Sequence, residues 1–237
     1  SLKEDTLDQF DITREIEVVP NFIDISKYKI QQQKCIKENS KIGKEFIITH
    51  VSNFRPVKNI KNVIMVFNNI QKKIPSKLLM IGEGPDKQMA EQLCKKLLIE
   101  DKVEFLGNSN QVEKKLCHSD LFLLPSTTES FGLAALEAMA SNVAIISSNA
   151  GGLPEINSHG KTGYLTNAND IESISHRTFN FEKEKLQLFD EYYEDVTKLQ
   201  PYMYRSKNNL PEITTIELPQ INAKFVENLD KQQEYIK

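Results

Sequence analysis

The sequence predicts an α/β protein built on a doubly wound, parallel, Rossmann-like sheet. Two observations support this prediction. Short runs of apolar, β-prone residues alternate with helical patterns through the middle of the chain, and all nine glycines fall between Gly43 and Gly163, where the turns of such units need them. Strands that are apolar throughout are typical of a parallel sheet covered by helices on both faces. In such sheets, ligands bind at the carboxyl ends of the strands.

Six strands are predicted, each short enough to be a buried strand of one sheet. They cover residues 46–51, 78–81, 103–106, 121–124, 143–147 and 163–165. A helix follows the first strand, because apolar residues recur at i, i+3, i+4, i+7 and i+10 from Ile60 to Ile70. Residues 86–98, 111–117 and 133–140 are predicted to form further helices.

Composition divides the chain into three parts. Residues 1–40 are a polar lead-in, and residues 41–172 hold the alternating α/β pattern. Residues 173–237 form a tail that is predicted to be mainly helical or irregular, with an amphipathic helix at 182–199. The boundary is placed near 165–175, because residues 164–237 contain no glycine at all. The tail offers no recognisable chemistry.

Charge and cysteine usage exclude several classes of protein. The 237 residues carry 30 Lys and Arg against 33 Asp and Glu, a net charge of −3, which argues against a general nucleic-acid binder. A transmembrane helix needs about 20 consecutive apolar residues, and no run approaches that length. The three cysteines are far apart and form no C-x-x-C pair, so neither a zinc site nor a disulfide framework is predicted, and a reducing cytoplasm is favoured.

The ends of two predicted strands suggest phosphate sites, each weakly. The segment G-E-G-P at 82–85 precedes a helix but lacks the third glycine of G-x-G-x-x-G, so a tight turn with proline at the first helical position is the better interpretation. Arg55 and Lys58 follow the first strand and can bracket a diphosphate, although basic loop residues are more often solvated surface. His50, near the end of that strand, either faces a ligand or is structural.

The strongest pattern is a pair of carboxylates, Glu129 and Glu137, eight residues apart. Glu129 follows a predicted strand, whereas Glu137 lies inside an otherwise apolar helix, where burial is costly unless the carboxylate is paired or binds hydroxyl groups. The helix begins near Phe131 and Gly132, so its free N–H groups and positive dipole end can bind an anion. Gly132 lets a ligand approach the backbone closely. A purely structural role for Glu137 would leave Glu129 unexplained.

These two acids resemble the E-x(7)-E motif of the retaining nucleotide-sugar glycosyltransferases with the GT-B fold. Other stretches agree in order with motifs of that family: the interdomain linker at 19–24, the diphosphate-binding pair at 55 and 58, strand-end signatures at 81–85 and 105–107, and the segments 147–155 and 160–165 that follow the acidic motif. The resemblance covers residues 15–172 and implies the C-terminal, donor-binding half of the fold, preceded by a remnant of the interdomain linker. Residues 126–140 and 147–152 are most similar to members that act in bacillithiol biosynthesis.

The resemblance implies that Glu129, Arg55 and Lys58 are the catalytic residues. Negative charge develops on the diphosphate as the donor bond breaks, and the two cations, with the helix N-terminus at Gly132 and Leu133, stabilise that charge. The chain contains no D-x-D sequence, so neither a metal nor another cofactor is implied. Glu129, with the backbone at Phe131 and Gly132, is expected to contact hydroxyl groups of the donor sugar.

The nucleoside is assigned by the same resemblance. Glu137 is expected to accept hydrogen bonds from the ribose hydroxyl groups, and the uracil is placed beside Gly107 and Asn108. The implied reaction is transfer of N-acetylglucosamine from UDP-N-acetylglucosamine to L-malate with retention. Two alternatives remain open: a related transferase acting on a lipid or polysaccharide, and a non-catalytic module that binds a nucleotide sugar. The acceptor wall belongs to the N-terminal half of the fold, so the isolated chain is expected to be inactive. A homodimer is left open.

Overall fold

The computed structural model of the chain describes residues 2–12, 15–16, 21–38, 45–180 and 203–204. The sheet strands are β2 (Phe46–Val51), β3 (Ser76–Ile81), β4 (Val103–Gly107), β5 (Leu121–Leu124), β6 (Ala144–Ser148) and β7 (Gly163–Thr166). They form one six-stranded sheet in the order β4-β3-β2-β5-β6-β7, and every neighbouring pair is parallel. The predicted α/β class and the six predicted strands are confirmed. A separate two-stranded parallel pair joins β1 (Ile23–Asp24) to β8 (Met203–Tyr204).

Helices cover both faces of this sheet. The helices of the described residues are α1 (Leu2–Gln9), α2 (Ile25–Glu38), α3 (Ile60–Gln71), α4 (Lys87–Leu97), α5 (Val112–Leu116), α6 (Leu133–Ala140), α7 (Leu153–Ile156) and α8 (171–180), and all except α1 contribute residues to the two core clusters. Short 3-10 turns lie at Pro56–Lys58 and Glu100–Lys102. The four predicted helices of the α/β region are present. The predicted helix at 182–199 lies outside the described residues.

Apolar periodicity explains which face each helix covers. The stripe that predicts α3 is fully buried in one core cluster, together with residues of α4 and α8. Helix α6 buries Leu136 and Met139 in a second cluster with residues of α2, α5 and α7. Each fully buried Leu or Ile side chain stabilises the fold by about 1.5–3 kcal/mol relative to leaving it exposed. The two helix layers therefore hold the loops at the strand ends in place.

Helices α2 and α8 pack against the core, although the sequence predicts no packed helix at 25–38 or 171–180. Helix α2 lies within the predicted polar lead-in, yet Ile25 and Tyr28 are buried in the cluster around α6. Helix α8 begins at the predicted domain boundary, and Ile174 is buried in the cluster around α3. Tertiary contacts supply the apolar environment that these polar segments do not indicate. The boundaries of the three predicted parts remain a prediction.

Cysteine pairing differs from the expectation at one position. Cys94 is a buried free thiol, and burial raises its pKa to about 11. Cys117, directly after α5, is disulfide-bonded, although the cysteine spacing predicts no disulfide framework. Free thiols therefore no longer support the cytoplasmic location, which remains a prediction.

In the described part of the chain, no helix has the length and apolarity needed to cross a bilayer.

Candidate functional site

The candidate site lies where the strand order of the sheet reverses. Strands β2 and β5 are neighbours, but the chain continues from β2 toward β3 on one side and from β5 toward β6 on the other. The loops that follow these two strands diverge and leave a crevice, which is where doubly wound sheets bind their ligands. The loop after β2 carries Arg55 and Lys58, and the loop after β5 carries Glu129 and Gly132. The fold therefore brings both predicted segments to one crevice.

Lys58 and Glu129 form an ion pair across this crevice. The Nζ atom of Lys58 lies 2.5 Å from Oε2 of Glu129, and the two side chains are only 17% and 12% exposed. The hydroxyl group of Ser126 donates to the same carboxylate oxygen at 3.4 Å. Because little water reaches the pair, its charges are screened less than those of a surface pair. Ser126 had no predicted role.

The turn at Pro56–Lys58 separates the two predicted cations. Arg55 precedes the turn with an exposed side chain, and it makes no ion pair with any described residue. Lys58 ends the turn and is directed toward the loop after β5. Asn59 holds this arrangement, since its amide nitrogen donates to the carbonyl oxygens of Pro125 and Ala168 at 3.2 and 2.9 Å. Lys58 is therefore a fixed charge of the crevice, whereas Arg55 lies at its exposed edge.

The N-terminus of α6 borders the same crevice. Gly132 precedes the helix with φ +95°, a conformation that favours glycine, and no side-chain hydrogen bond caps the helix. A Cβ atom on Gly132 would lie 2.7 Å from Cδ2 of Leu153, so helix α7 also requires the glycine. The sequence alone does not indicate that packing against α7 requires glycine at position 132. Phe131 is buried, whereas Leu133 is 46% exposed.

Glu137 lies one turn beyond Leu133 on α6. It is half-buried, and its Oε1 accepts a 2.8 Å hydrogen bond from the hydroxyl group of Tyr28 on α2. Burial raises the pKa of this carboxyl group, while Tyr28 and Lys27 oppose that shift. The sequence does not predict Tyr28, because a lone tyrosine in a polar helix forms no pattern.

The predicted uracil position lies farther along the sheet edge. Gly107 ends β4, which is separated from β2 by β3, and its carbonyl oxygen accepts a 2.8 Å hydrogen bond from the amide of Gly82. Asn108 follows with an exposed side chain. Both residues lie at the same edge of the sheet as the Lys58–Glu129 pair, two strands from the crevice. At 82–85, the predicted tight turn is present, but the proline precedes the helix, which begins at Lys87.

The loop after β6, which carries Gly151 and Gly152, contacts the backbone of Glu129. The amide of Gly152 donates to the carbonyl oxygen of Glu129 at 3.0 Å. Gly151 has φ +57°, and a Cβ atom there would lie 1.7 Å from the same oxygen. The loop after β6 is therefore packed directly against the backbone of the candidate catalytic carboxylate, a contact that only the folded chain reveals.

His50 joins the two strands that border the crevice. Its Nδ1 lies 2.8 Å from the carbonyl oxygen of Leu123, which can only accept, so Nδ1 carries the proton. Its Nε2 then accepts a 2.7 Å hydrogen bond from the hydroxyl group of Ser52. Complete burial lowers the pKa of His50 to about 4, and the nearby charge of Lys58 acts in the same direction. His50 is therefore a neutral structural residue, one of the two roles left open by the sequence.

We expect the free energy of unfolding to fall as the pH decreases from 6.5 toward 4. In this range the unfolded chain binds a proton at His50 and the folded chain does not, a difference of up to about 3 kcal/mol. Urea denaturation between pH 7 and 4 measures the effect. His50→Asn keeps a donor near Leu123 and should lose this share of the pH dependence, whereas His176→Asn, at an exposed position, should retain it. Equal pH profiles for the wild type and His50→Asn would contradict the expectation.

Among the described residues, no group of three or more His, Cys, Asp or Glu side chains could hold a metal ion. The absence of a metal requirement remains a prediction.

The chain is similar to known proteins in sequence and in fold. The family model of the group 1 glycosyl transferases matches residues 31–198. The chain is 40% identical over 173 residues to the N-acetyl-alpha-D-glucosaminyl L-malate synthase of Bacillus anthracis, covering 73% of this chain and 45% of the relative. It is 29% identical over 147 residues to the gpi3 subunit of the phosphatidylinositol N-acetylglucosaminyltransferase of Schizosaccharomyces pombe, covering 60% of this chain and 31% of the relative.

Solved structures of other proteins share the fold of this chain. HepE of Anabaena in complex with UDP-glucose superposes with a TM-score of 0.69 at 20% identity, over 79% of this chain and 53% of that chain. The chain thus spans about half the length of HepE and less than half of the two curated relatives. Three findings agree on the family. The family model covers most of the chain, one relative is 40% identical, and HepE shares the fold. The chain belongs to the group 1 glycosyl transferases, and its parallel sheet has the Rossmann-like fold of one domain of a GT-B enzyme.

Proposed function

We propose that this chain is the donor-binding part of a retaining transferase that moves N-acetylglucosamine from UDP-N-acetylglucosamine to L-malate in bacillithiol biosynthesis. The 40% identity to a relative named for that activity supports the choice of substrates. The observation on which the site assignment depends is the Lys58–Glu129 ion pair at the point of strand reversal, beside the N-terminus of α6. A cation and a carboxylate in contact suit the junction between a diphosphate and a sugar hydroxyl group.

In this proposal, the donor lies along the carboxyl edge of the sheet, with its diphosphate at the crevice and its uracil near β4. Its diphosphate lies between the cations Lys58 and Arg55 and the open N-terminus of α6, where free N–H groups and the helix dipole favour an anion. The sugar then contacts Glu129, and the ribose hydroxyl groups bond to Glu137, one turn along α6 from Leu133. The uracil extends toward Gly107 and Asn108.

Catalysis on this arrangement is mainly electrostatic. The bond between the anomeric carbon and the β-phosphate oxygen breaks, and its electron pair leaves with UDP. The acceptor hydroxyl oxygen forms the new bond on the same face, and its proton passes to the leaving phosphate. Lys58 and Arg55 stabilise the charge that grows on that phosphate, which makes a metal unnecessary. Because the acceptor is held by the other half of a GT-B enzyme, this chain alone is not expected to turn over, since most of the rate advantage comes from positioning both substrates.

A second candidate is a related transferase with a lipid acceptor. The relative from Schizosaccharomyces pombe is named for transfer of N-acetylglucosamine to phosphatidylinositol, so the same donor half can serve another acceptor. A non-catalytic module that binds a nucleotide sugar is the third. All three share the donor site, and the acceptor half distinguishes the two transferases.

Calorimetry with UDP-N-acetylglucosamine in excess chelator tests the shared donor site. We expect binding without metal, tighter than for UDP-glucose, and no binding of NAD. Stabilisation of the folded chain by RT ln(1 + [L]/Kd) in a thermal scan provides a second readout. Binding that disappears with chelator would refute the metal-free site, and failure to bind any uridine diphosphate would refute the proposed function.

A further inference from the structure

Tyr28 of α2 is a buried polar group outside the predicted site that nevertheless contacts it. The residue is 5% exposed, and its hydroxyl group donates to Oε1 of Glu137 at 2.8 Å. Burial, together with the negative charge of Glu137, raises the pKa of the phenol, so it stays protonated and remains a donor. Tyr28 and Glu137 are 109 positions apart in the chain, so the contact depends on the docking of α2 against α6.

Helix α2 is held firmly around this contact. Asp24 precedes the helix, and its carboxylate accepts hydrogen bonds from the amide and the hydroxyl group of Ser26 at 3.0 and 2.6 Å. Ile25 is buried in the same apolar cluster as Tyr28. Lys27 forms an ion pair at 3.1 Å with Glu113 of α5. Helix α2 is therefore linked to α5 through Lys27 and to α6 through Tyr28.

The two oxygens of Glu137 have different surroundings. Oε1 accepts the hydrogen bond from the hydroxyl group of Tyr28. Oε2 accepts no hydrogen bond from any residue in the described part of the chain, and it is not fully buried, so solvent reaches it. A free glutamate side chain loses rotamer freedom when it binds, and a carboxylate that is already fixed loses less.

We propose that Tyr28 is a positioning residue for the ribose subsite, fixing Oε1 of Glu137 so that Oε2 faces the ribose hydroxyl groups. This inference rests on the proposed function, which places the ribose at Glu137. It assigns a binding role to a residue in the segment before the sheet. It also implies that the affinity for uridine nucleotides depends on the docking of α2 against α6, because the tyrosine reaches Glu137 only when Ile25 and Tyr28 are packed.

A variant that removes only the hydroxyl group of Tyr28 tests whether this residue positions Glu137. Tyr28→Phe keeps the buried ring, and the dissociation constant for UDP should rise about fivefold, the value of one ordinary hydrogen bond. For 2′,3′-dideoxyuridine diphosphate, which lacks the groups that Glu137 would bind, the dissociation constant should stay the same. Tyr164→Phe is the matched control, since Tyr164 is buried in the cluster on the opposite face of the sheet. It should change neither constant.

A double-mutant cycle separates positioning from packing. In the Glu137→Gln background, Tyr28→Phe should lose most of its effect on UDP, because the group it positions is already altered. Equal weakening of UDP and the dideoxy analogue, or an undiminished effect of Tyr28→Phe in the Glu137→Gln background, would overturn the inference and leave the donor site standing. Absence of UDP binding by the wild type would overturn the proposed function, and this inference with it.

Discussion

Lys58→Ala should weaken UDP binding by about 10- to 150-fold, the value of a lost charge-assisted hydrogen bond, and leave uridine binding nearly unchanged. Only the nucleotide carries the phosphates. The side chain of Lys58 is 17% exposed, so its charge acts with little screening. The variant also leaves the carboxylate of Glu129 without its cation, and that negative charge then repels the diphosphate.

Calorimetric titration of each variant with UDP and with uridine provides the measurement. Lys61→Ala is the matched control, since Lys61 is an exposed lysine on α3 three residues away. Arg55→Ala should act in the same direction as Lys58→Ala but more weakly, because Arg55 lies at the exposed edge of the crevice. Equal losses for UDP and uridine would show that Lys58 does not contact the phosphates.

Gly151→Ala should reduce the affinity for UDP-N-acetylglucosamine by more than about tenfold, because the new Cβ atom displaces the backbone of Glu129. That atom would lie 1.7 Å from the carbonyl oxygen of Glu129, a distance that no side-chain rearrangement can relieve. The shift breaks the 3.0 Å hydrogen bond from Gly152 to the same oxygen and moves Glu129 away from Lys58. A loss of folding free energy accompanies the clash.

Gly160→Ala separates the steric effect from backbone strain. Gly160 has φ +77°, comparable to the +57° of Gly151, but a Cβ atom there meets nothing within 4 Å. Both variants pay a left-handed backbone cost of about 1–2 kcal/mol, and only Gly151→Ala adds the clash. Urea denaturation and calorimetry on the two variants measure the difference. Similar affinities in both would mean that the loop after β6 does not support Glu129 in its proposed sugar-binding role.

Local pattern and tertiary contact contribute differently to this protein. The apolar stripe of α3 and the continuous apolar strands are strong local signals, and the sheet and its helices follow them closely. Helix α2 is mainly polar, so only its contact with α6 explains the burial of Tyr28. The roles of Glu129, Glu137 and Lys58 are predictions from resemblance to a family, and the variants above test them.

The sequence by itself determined the fold class, the strand ends on which ligands can bind and the two acids spaced along one loop and helix. These features depend on periodicity and on residues close together in the chain. Only the tertiary structure decided which of them meet. Lys58 and Glu129 are 71 positions apart, and they pair because the strand order places β2 beside β5. Tyr28 reaches Glu137 because burial of apolar surface docks α2 against α6, and no local pattern encodes that contact.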